Sequence, residues 1–300
     1  MTAATAEATT LPAVVDPNSL KHRLGLLWYK ISQSPLTLYG LTIILLVFAM
    51  MALAGLLAPY DPNQVNLSDR LLPPTRAHWF GTDEVGRDLL SRILHGSRQS
   101  VSVGLFVVPV SGVIGSTLGC FSGSIGGKVD MVIMRLTDIV LSVPSLVLTM
   151  ALAAALGPSL FNAMLAITVV RIPSYVRLAR GQALIIREMN YAKASRTFGA
   201  SRWHVVRWHV LRNALSPLIV QATLDVGGTI LLAAALGFIG LGAQQPTAEW
   251  GAMVATGRNY ILDQWWYSGF PGLAILITAI GFNLFGDGLR DILDPKQKAK

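Results

Sequence analysis

Two stretches of this chain, residues 36–58 and residues 101–125, contain no Asp, Glu, Lys or Arg. Each is long enough to cross a bilayer as a helix, because about 20 apolar residues at 1.5 Å per residue span a hydrocarbon core of roughly 30 Å. Away from water every backbone N–H and C=O must be satisfied within the segment, and a helix does this locally. A chain carrying two such stretches is built around a membrane. The remainder agrees: 52% of the residues are hydrophobic and only 13% are charged, against about 25% charged in an ordinary soluble domain.

Four further spans follow. The apolar run from Met131 to Val176 is too long for one helix, and Gly157-Pro158 supplies a break, which divides it into spans at 131–156 and 159–178. A fifth lies within 214–242 and a sixth within 265–286, separated by a polar stretch holding Pro246, Glu249, Arg258 and Asp263. The expected fold is therefore all-α, a polytopic membrane protein with six transmembrane helices over residues 36–290. A tail of residues 1–35 precedes it and one of residues 291–300 follows. Ala52-Leu53-Ala54 has the look of a cleavage site, but the segment before it is too long for a signal peptide, so the first span is expected to stay.

Sixteen of the 24 Lys and Arg fall on one side of this arrangement: three before residue 31, Lys128, eight from Arg177 to Arg212, and four beyond Phe285. Six fall on the other side and two within spans. Positive charge is retained on the cytoplasmic side during insertion, so both termini are expected in the cytoplasm and the chain in the cytoplasmic membrane. Topology thus accounts for the net charge of +8 without a nucleic-acid partner. Cys120, the single cysteine, sits in an apolar span and suits packing.

Residues 179–213 form the largest internal connection, and it divides at Gly199 into two helical pieces. Ser201 is placed as an N-cap, and Trp203, Val206 and Val210 recur at helical spacing. Five arginines, Arg187, Arg196, Arg202, Arg207 and Arg212, surround that apolar stripe. Such a knuckle either lies on lipid headgroups or docks into another protein. On the opposite side the longest connection, residues 59–98, contains an amphipathic piece from Val85 to Ile93.

Within this loop Lys193-Ala194-Ser195, Gly199, His209 and Leu211-Arg212 keep the spacing E-A-A, three residues, G, nine residues, I, one residue, L-P. That pattern marks the permeases of type I ABC importers, and the chain resembles that family. Three longer runs resemble its dipeptide and oligopeptide branch, in particular the C-type member of the permease pair: His78 to Ser100, Gly126 to Pro144, and Gly286 to Pro295. Leu236 to Gly251 resembles the branch's fifth-span signature. The departures are Lys193 for Glu, Ser195 for Ala, His209 for Ile, Arg212 for Pro, Ala233 for an acidic residue and Gly237 for Ser. The resemblance covers about residues 36–295.

The resemblance implies a type I importer permease fold with a cytoplasmic coupling helix. It also implies three kinds of partner: a homologous second permease subunit, two ATPase domains and an extracytoplasmic substrate-binding protein. ATP and Mg2+ would belong to the ATPase subunits and no cofactor to this chain. The cargo would be di- or oligopeptides, although the same architecture also carries glutathione, nickel complexes or haem. Coupling to the ATPase falls to Ala194, Ser195, Arg196, Gly199, Ala200, Ser201 and Arg202, where small residues permit close backbone approach and arginines can bond acidic partner residues.

Charges inside a membrane are costly and turn toward partners or water. Asp138, Arg171 and Asp225 are expected about 13 to 17 Å from the internal face at 1.5 Å per residue. A cluster of Arg171 with Asp138 or Asp225 follows, either as a structural ion pair or as a contact for a charged peptide terminus. A secondary transporter driven by an ion gradient is the rival that would use these carboxylates, but such carriers commonly show two related halves, and none is visible here. Ser111, Gly115 and Gly119 lie four apart on one helix face and suit close packing, while Pro109, Pro144 and Pro173 should bend their spans.

A catalytic role has no support in the sequence. Gly127-Lys128 lacks both the glycine five positions earlier, where Ser122 stands, and the following Ser or Thr of a phosphate-binding loop. The five histidines show no H-E-x-x-H pattern or other metal-ligand spacing.

Overall fold

The computed structural model describes residue 29 and residues 31–293, and of Arg202 only the backbone. Most of the expected tails, with the basic Lys21 to Lys30 segment, therefore lies outside the described residues. Among the described residues the chain is helical and has no strand. Helix α1, Pro35–Leu57, starts with Pro35 at its first position and Ser34 as its cap, an arrangement in which the missing proline N–H costs nothing.

Helix α2, Leu89–Ile125, has 37 residues, about 55 Å at 1.5 Å per residue, so it projects well beyond a bilayer core. It begins earlier than residue 101 because Asp88 caps it, accepting the Ser91 N–H at 2.7 Å, and Gly126 stops it with φ +71°. The stretch expected as a single third span, 131–156, is two helices, α3 (Gly127–Leu141) and α4 (Ser145–Leu156), bent by 89°. Pro144 is the cause: it offers no N–H to the preceding turn and disfavours helical backbone at Val143.

Helix α5, Leu160–Ile186, runs past the expected end at 178 into what the sequence assigned to the loop. A short α6, Asn190–Thr197, follows. Helix α7, Arg202–Val205, passes through a π turn, Val206–Val210, directly into α8, Leu211–Phe238. From Trp203 to Phe238 this is one rod of 36 residues. Helices α9, Trp250–Gly257, and α10, Trp265–Leu293, complete the order.

Among the described residues four helices are long and apolar enough to cross a membrane: α1, α2, the α7–α8 rod and α10; the bent α3–α4 pair is a fifth candidate. Of the six expected spans these account for five, and the other is α5, long enough at 27 residues but interrupted by Arg171, Arg177 and Arg180. Glycines decide the central contact. A Cβ on Gly115 would stand 2.5 Å from the Tyr175 Cβ, and one on Gly119 would stand 2.3 Å from the Val176 carbonyl oxygen, so α2 and α5 touch backbone to backbone.

Candidate coupling knuckle and membrane charge cluster

The knuckle is built from α6, the turn at Gly199 and α7. Gly199 has φ +85°, and two bonds close the turn: Gly199 N–H to the Arg196 carbonyl at 2.9 Å and Ala200 N–H to the Ser195 carbonyl at 3.0 Å. This is the six-to-one and five-to-two pairing with which helices end on a left-handed residue. Among the described residues no atom lies within 4 Å of a Cβ built there. Within this chain the glycine is required by its backbone angle rather than by close approach. Ser201 then caps the next helix, its hydroxyl accepting the His204 N–H at 3.2 Å.

The outer face of this turn is aromatic. Phe198 is 90% exposed, and Trp203, Trp208 and Tyr191 are about half exposed. Sequence patterning did not single out Phe198, because one aromatic beside a glycine carries no periodic signal. Ala194, Arg196, Gly199 and Ser201 are exposed, with Ser195 and Ala200 partly so; the side chain of Arg202 lies outside the described residues. Lys193, standing where the motif has Glu, pairs with Glu188 at 3.2 Å and with its hydrogen bond holds that carboxyl below the ordinary range.

Its inner face is welded to the bundle. Val205, Val206 and Val210 are buried together with Ala192, Ile186, Ala183 and Ala179, and with Cys120 of α2 and Ala214 and Leu218 of α8. Each buried valine contributes about 1.5–3 kcal/mol. Arg180 grips Asp130 with two bonds of 2.6 and 2.7 Å, and Arg187 donates to the Gly123 carbonyl at 2.9 Å. These contacts tie α6 and α7 to α2, α3, α5 and α8, and α7 runs into α8 without an intervening loop.

Arg171 and Asp225 do come together, Nη1 to Oδ1 at 3.3 Å, with Gln221 donating to the same oxygen at 3.2 Å. Asp138 does not join them. It pairs with Arg177 of α5 at 2.8 Å, both side chains more than half exposed. Since α5 continues to Ile186, Arg171 lies roughly 22 Å from that end and Asp225 roughly 21 Å from Leu211, at 1.5 Å per residue.

The opposite end carries a polar cluster that spacing alone did not disclose. Arg92 is buried and donates to the Pro62 carbonyl at 2.9 Å and the Pro246 carbonyl at 3.4 Å. Glu249 caps α9 through Gly251 and Ala252 and also accepts from Ser100 at 3.0 Å. Burial holds the Glu249 carboxyl above its ordinary value, against the pull of those three donors. Burial likewise raises Glu84, helped by the charge of Asp83, while the Tyr267 hydroxyl donates to it. These bonds fasten residues 59–88 to the segment before α9 as one plate.

A helical membrane bundle with a rigid, aromatic-tipped knuckle at one end and a bonded loop plate at the other is the architecture of a membrane transport subunit. Residues 115–299 match the family model described as binding-protein-dependent transport system inner membrane component, and residues 23–74 match the N-terminal TM domain of oligopeptide transport permease C. The chain belongs to this family of inner membrane transport components. It is 67% identical to the probable D,D-dipeptide transport system permease protein DdpC of Escherichia coli (strain K12) over 275 residues, 92% of each chain. Identity is 44% to the dipeptide transport system permease protein DppC of Alkalihalophilus pseudofirmus, covering 90% of this chain and 89% of that one. The glutathione transport system permease protein GsiD of Pectobacterium atrosepticum is 38% identical over 97% of this chain and 96% of its own.

Proposed function

We propose that this chain is the non-catalytic permease subunit of an ABC importer that carries dipeptides across the cytoplasmic membrane. The observation that carries this reading is the exposed aromatic knuckle at Phe198 and Gly199, set on the turn that leads into the 36-residue rod. Its sequence relatives named for dipeptide transport support that cargo over glutathione, whose relative is less similar.

In this reading the knuckle seats in a groove of a partner ATPase, which binds ATP and Mg2+, and a second, homologous permease completes the pathway. Phe198 is the anchor, Ala194, Ser195 and Ala200 let the two backbones approach, and Arg196 and Arg202 bond acidic groups on the partner. Both termini and the knuckle lie in the cytoplasm, following the bias of Lys and Arg. The plate formed by residues 59–88 and the segment before α9 faces outward and receives the substrate-binding protein.

The test is dipeptide uptake into vesicles reconstituted with both permeases, the ATPases and the binding protein. Uptake is expected to require hydrolysable nucleotide and to survive ionophores that collapse ion gradients. Uptake that follows the ion gradient and ignores nucleotide would instead establish a secondary transporter.

A further inference from the structure

Resting on the permease reading for the side of the membrane on which the knuckle lies, we propose that this chain holds an anionic phospholipid of the inner leaflet. Its headgroup sits on Arg207 and Arg212, and an acyl chain lies in the groove between α2 and α8. That groove has a volume of about 620 Å³. Gly112 and Val113 of α2 form one wall, Leu215, Ile219 and Ala222 of α8 form the other, and the buried Tyr175 of α5 closes it behind. Gly112 helps to keep it hollow, because a Cβ there would stand 3.6 Å from the Tyr175 ring.

The body of the groove suits hydrocarbon. Val113, Leu215 and Ile219 are exposed, and apolar surface of this kind is unfavourable in water. From Arg212 to Ala222 the groove follows α8 for about 15 Å at 1.5 Å per residue, half the depth of a roughly 30 Å hydrocarbon core.

The mouth selects the occupant. The Leu211 N–H bonds the Val206 carbonyl, which makes Val206–Val210 a π turn, and such turns are rare and recur at functional sites. On an α-helix, residues 207 and 212 would stand about 140° apart. The wider turn brings both guanidiniums to one ring: Cζ of Arg207 is 5.7 Å and Cζ of Arg212 is 6.0 Å from the centre of Trp208. All three side chains border the groove. Among the described residues neither arginine forms an ion pair, so two like charges gathered at one indole repel each other until an anion joins them. The planar fork of arginine suits phosphate, tryptophan favours the headgroup level, and basic pockets between helices at the cytoplasmic face take anionic headgroups. A helix of the second permease is the other candidate, and charge disfavours it, since a homologous subunit would bring its own excess of Lys and Arg to this level.

The test is lipid retention by the assembled importer, released from nanodiscs of mixed phosphatidylglycerol and phosphatidylcholine and read by native mass spectrometry. Wild type is expected to retain phosphatidylglycerol over phosphatidylcholine by roughly five- to thirtyfold, the range that one or two arginines near an anionic surface supply. Arg207→Gln combined with Arg212→Gln should bring that preference toward one. Ile219→Trp fills the groove while leaving both arginines in place, and it should lower the phosphatidylglycerol retained at least fivefold. These side chains are exposed, so both variants should assemble; should one fail to, the other carries the test.

Equal retention of the two lipids by wild type, an undiminished preference in the arginine variant, or retention untouched by Ile219→Trp would each overturn the proposal. A cross-link from Ile219→Cys to the second permease, with no phosphatidylglycerol retained, would put a protein helix in the groove and overturn it as well. The readout is lipid and not cargo, so a wild-type assembly that shows the expected preference but imports no dipeptide would count against the dipeptide reading and leave the lipid site standing.

Discussion

Truncating Phe198 to Ala separates the knuckle's role in docking from any role in folding. The side chain is 90% exposed, so its loss removes almost no packing from the isolated chain, and the unfolding free energy should change by no more than about 0.5 kcal/mol. Burying a phenylalanine fully in a partner's groove is worth about 1.5–3 kcal/mol. At about 1.4 kcal/mol per tenfold change in affinity, the variant should bind the ATPase roughly ten- to one-hundredfold more weakly. The assay is titration of the purified ATPase subunits onto the permease pair in nanodiscs, with thermal unfolding of the same samples as control. An affinity unchanged within twofold would refute the assignment of Phe198 as anchor. A collapse of thermal stability would refute the claim that it is free in the chain alone.

Other positions give independent outcomes. Gly115→Leu would drive a side chain into Tyr175 Cβ and the Ile172 carbonyl, 2.5 and 2.7 Å from the Cβ position; separation of α2 from α5 should appear as lost folded yield or a strongly lowered melting temperature in detergent. Glu249→Gln sets an amide N–H2 against one of the α9 N–H groups that the carboxylate caps, costing about 1.5–3 kcal/mol, read as a lower melting temperature at pH 7. The carboxyl at 249 is held above the 4.5 of an ordinary glutamate, so the folded chain binds its proton more tightly than the unfolded one. Its contribution to stability therefore falls as pH rises from 4.5 through the folded value, and the variant should lose that part of the pH dependence.

The parts of this fold legible in the sequence are those governed by local rules. Residues 36–58 form a helix because nothing else satisfies a charge-free apolar run, and Ser201 caps because its hydroxyl sits three residues before an N–H left open. The spacing of Ser111, Gly115 and Gly119 carried the α2–α5 contact in the same way. What escaped depends on direction in space. Proline at 144 announces a bend, but only the three-dimensional path of α3 shows that Asp138 meets Arg177 and leaves Arg171 to Asp225. The exposure of Phe198 and the enclosure of Arg92 are tertiary facts with no period to reveal them. Lys193 shows the converse: an apparent departure from the motif is compensated by Glu188, five residues earlier.

The central claim is that the knuckle transmits work, and the ratio of dipeptide imported to ATP hydrolysed measures this directly. Gly199→Val is the decisive perturbation, because a β-branched residue at φ +85° is strained by at least about 1–2 kcal/mol and must reshape the turn. In vesicles holding the complete assembly, hydrolysis should persist in this variant while the number of peptides moved per ATP falls at least tenfold. A ratio equal to that of the wild type would contradict the account.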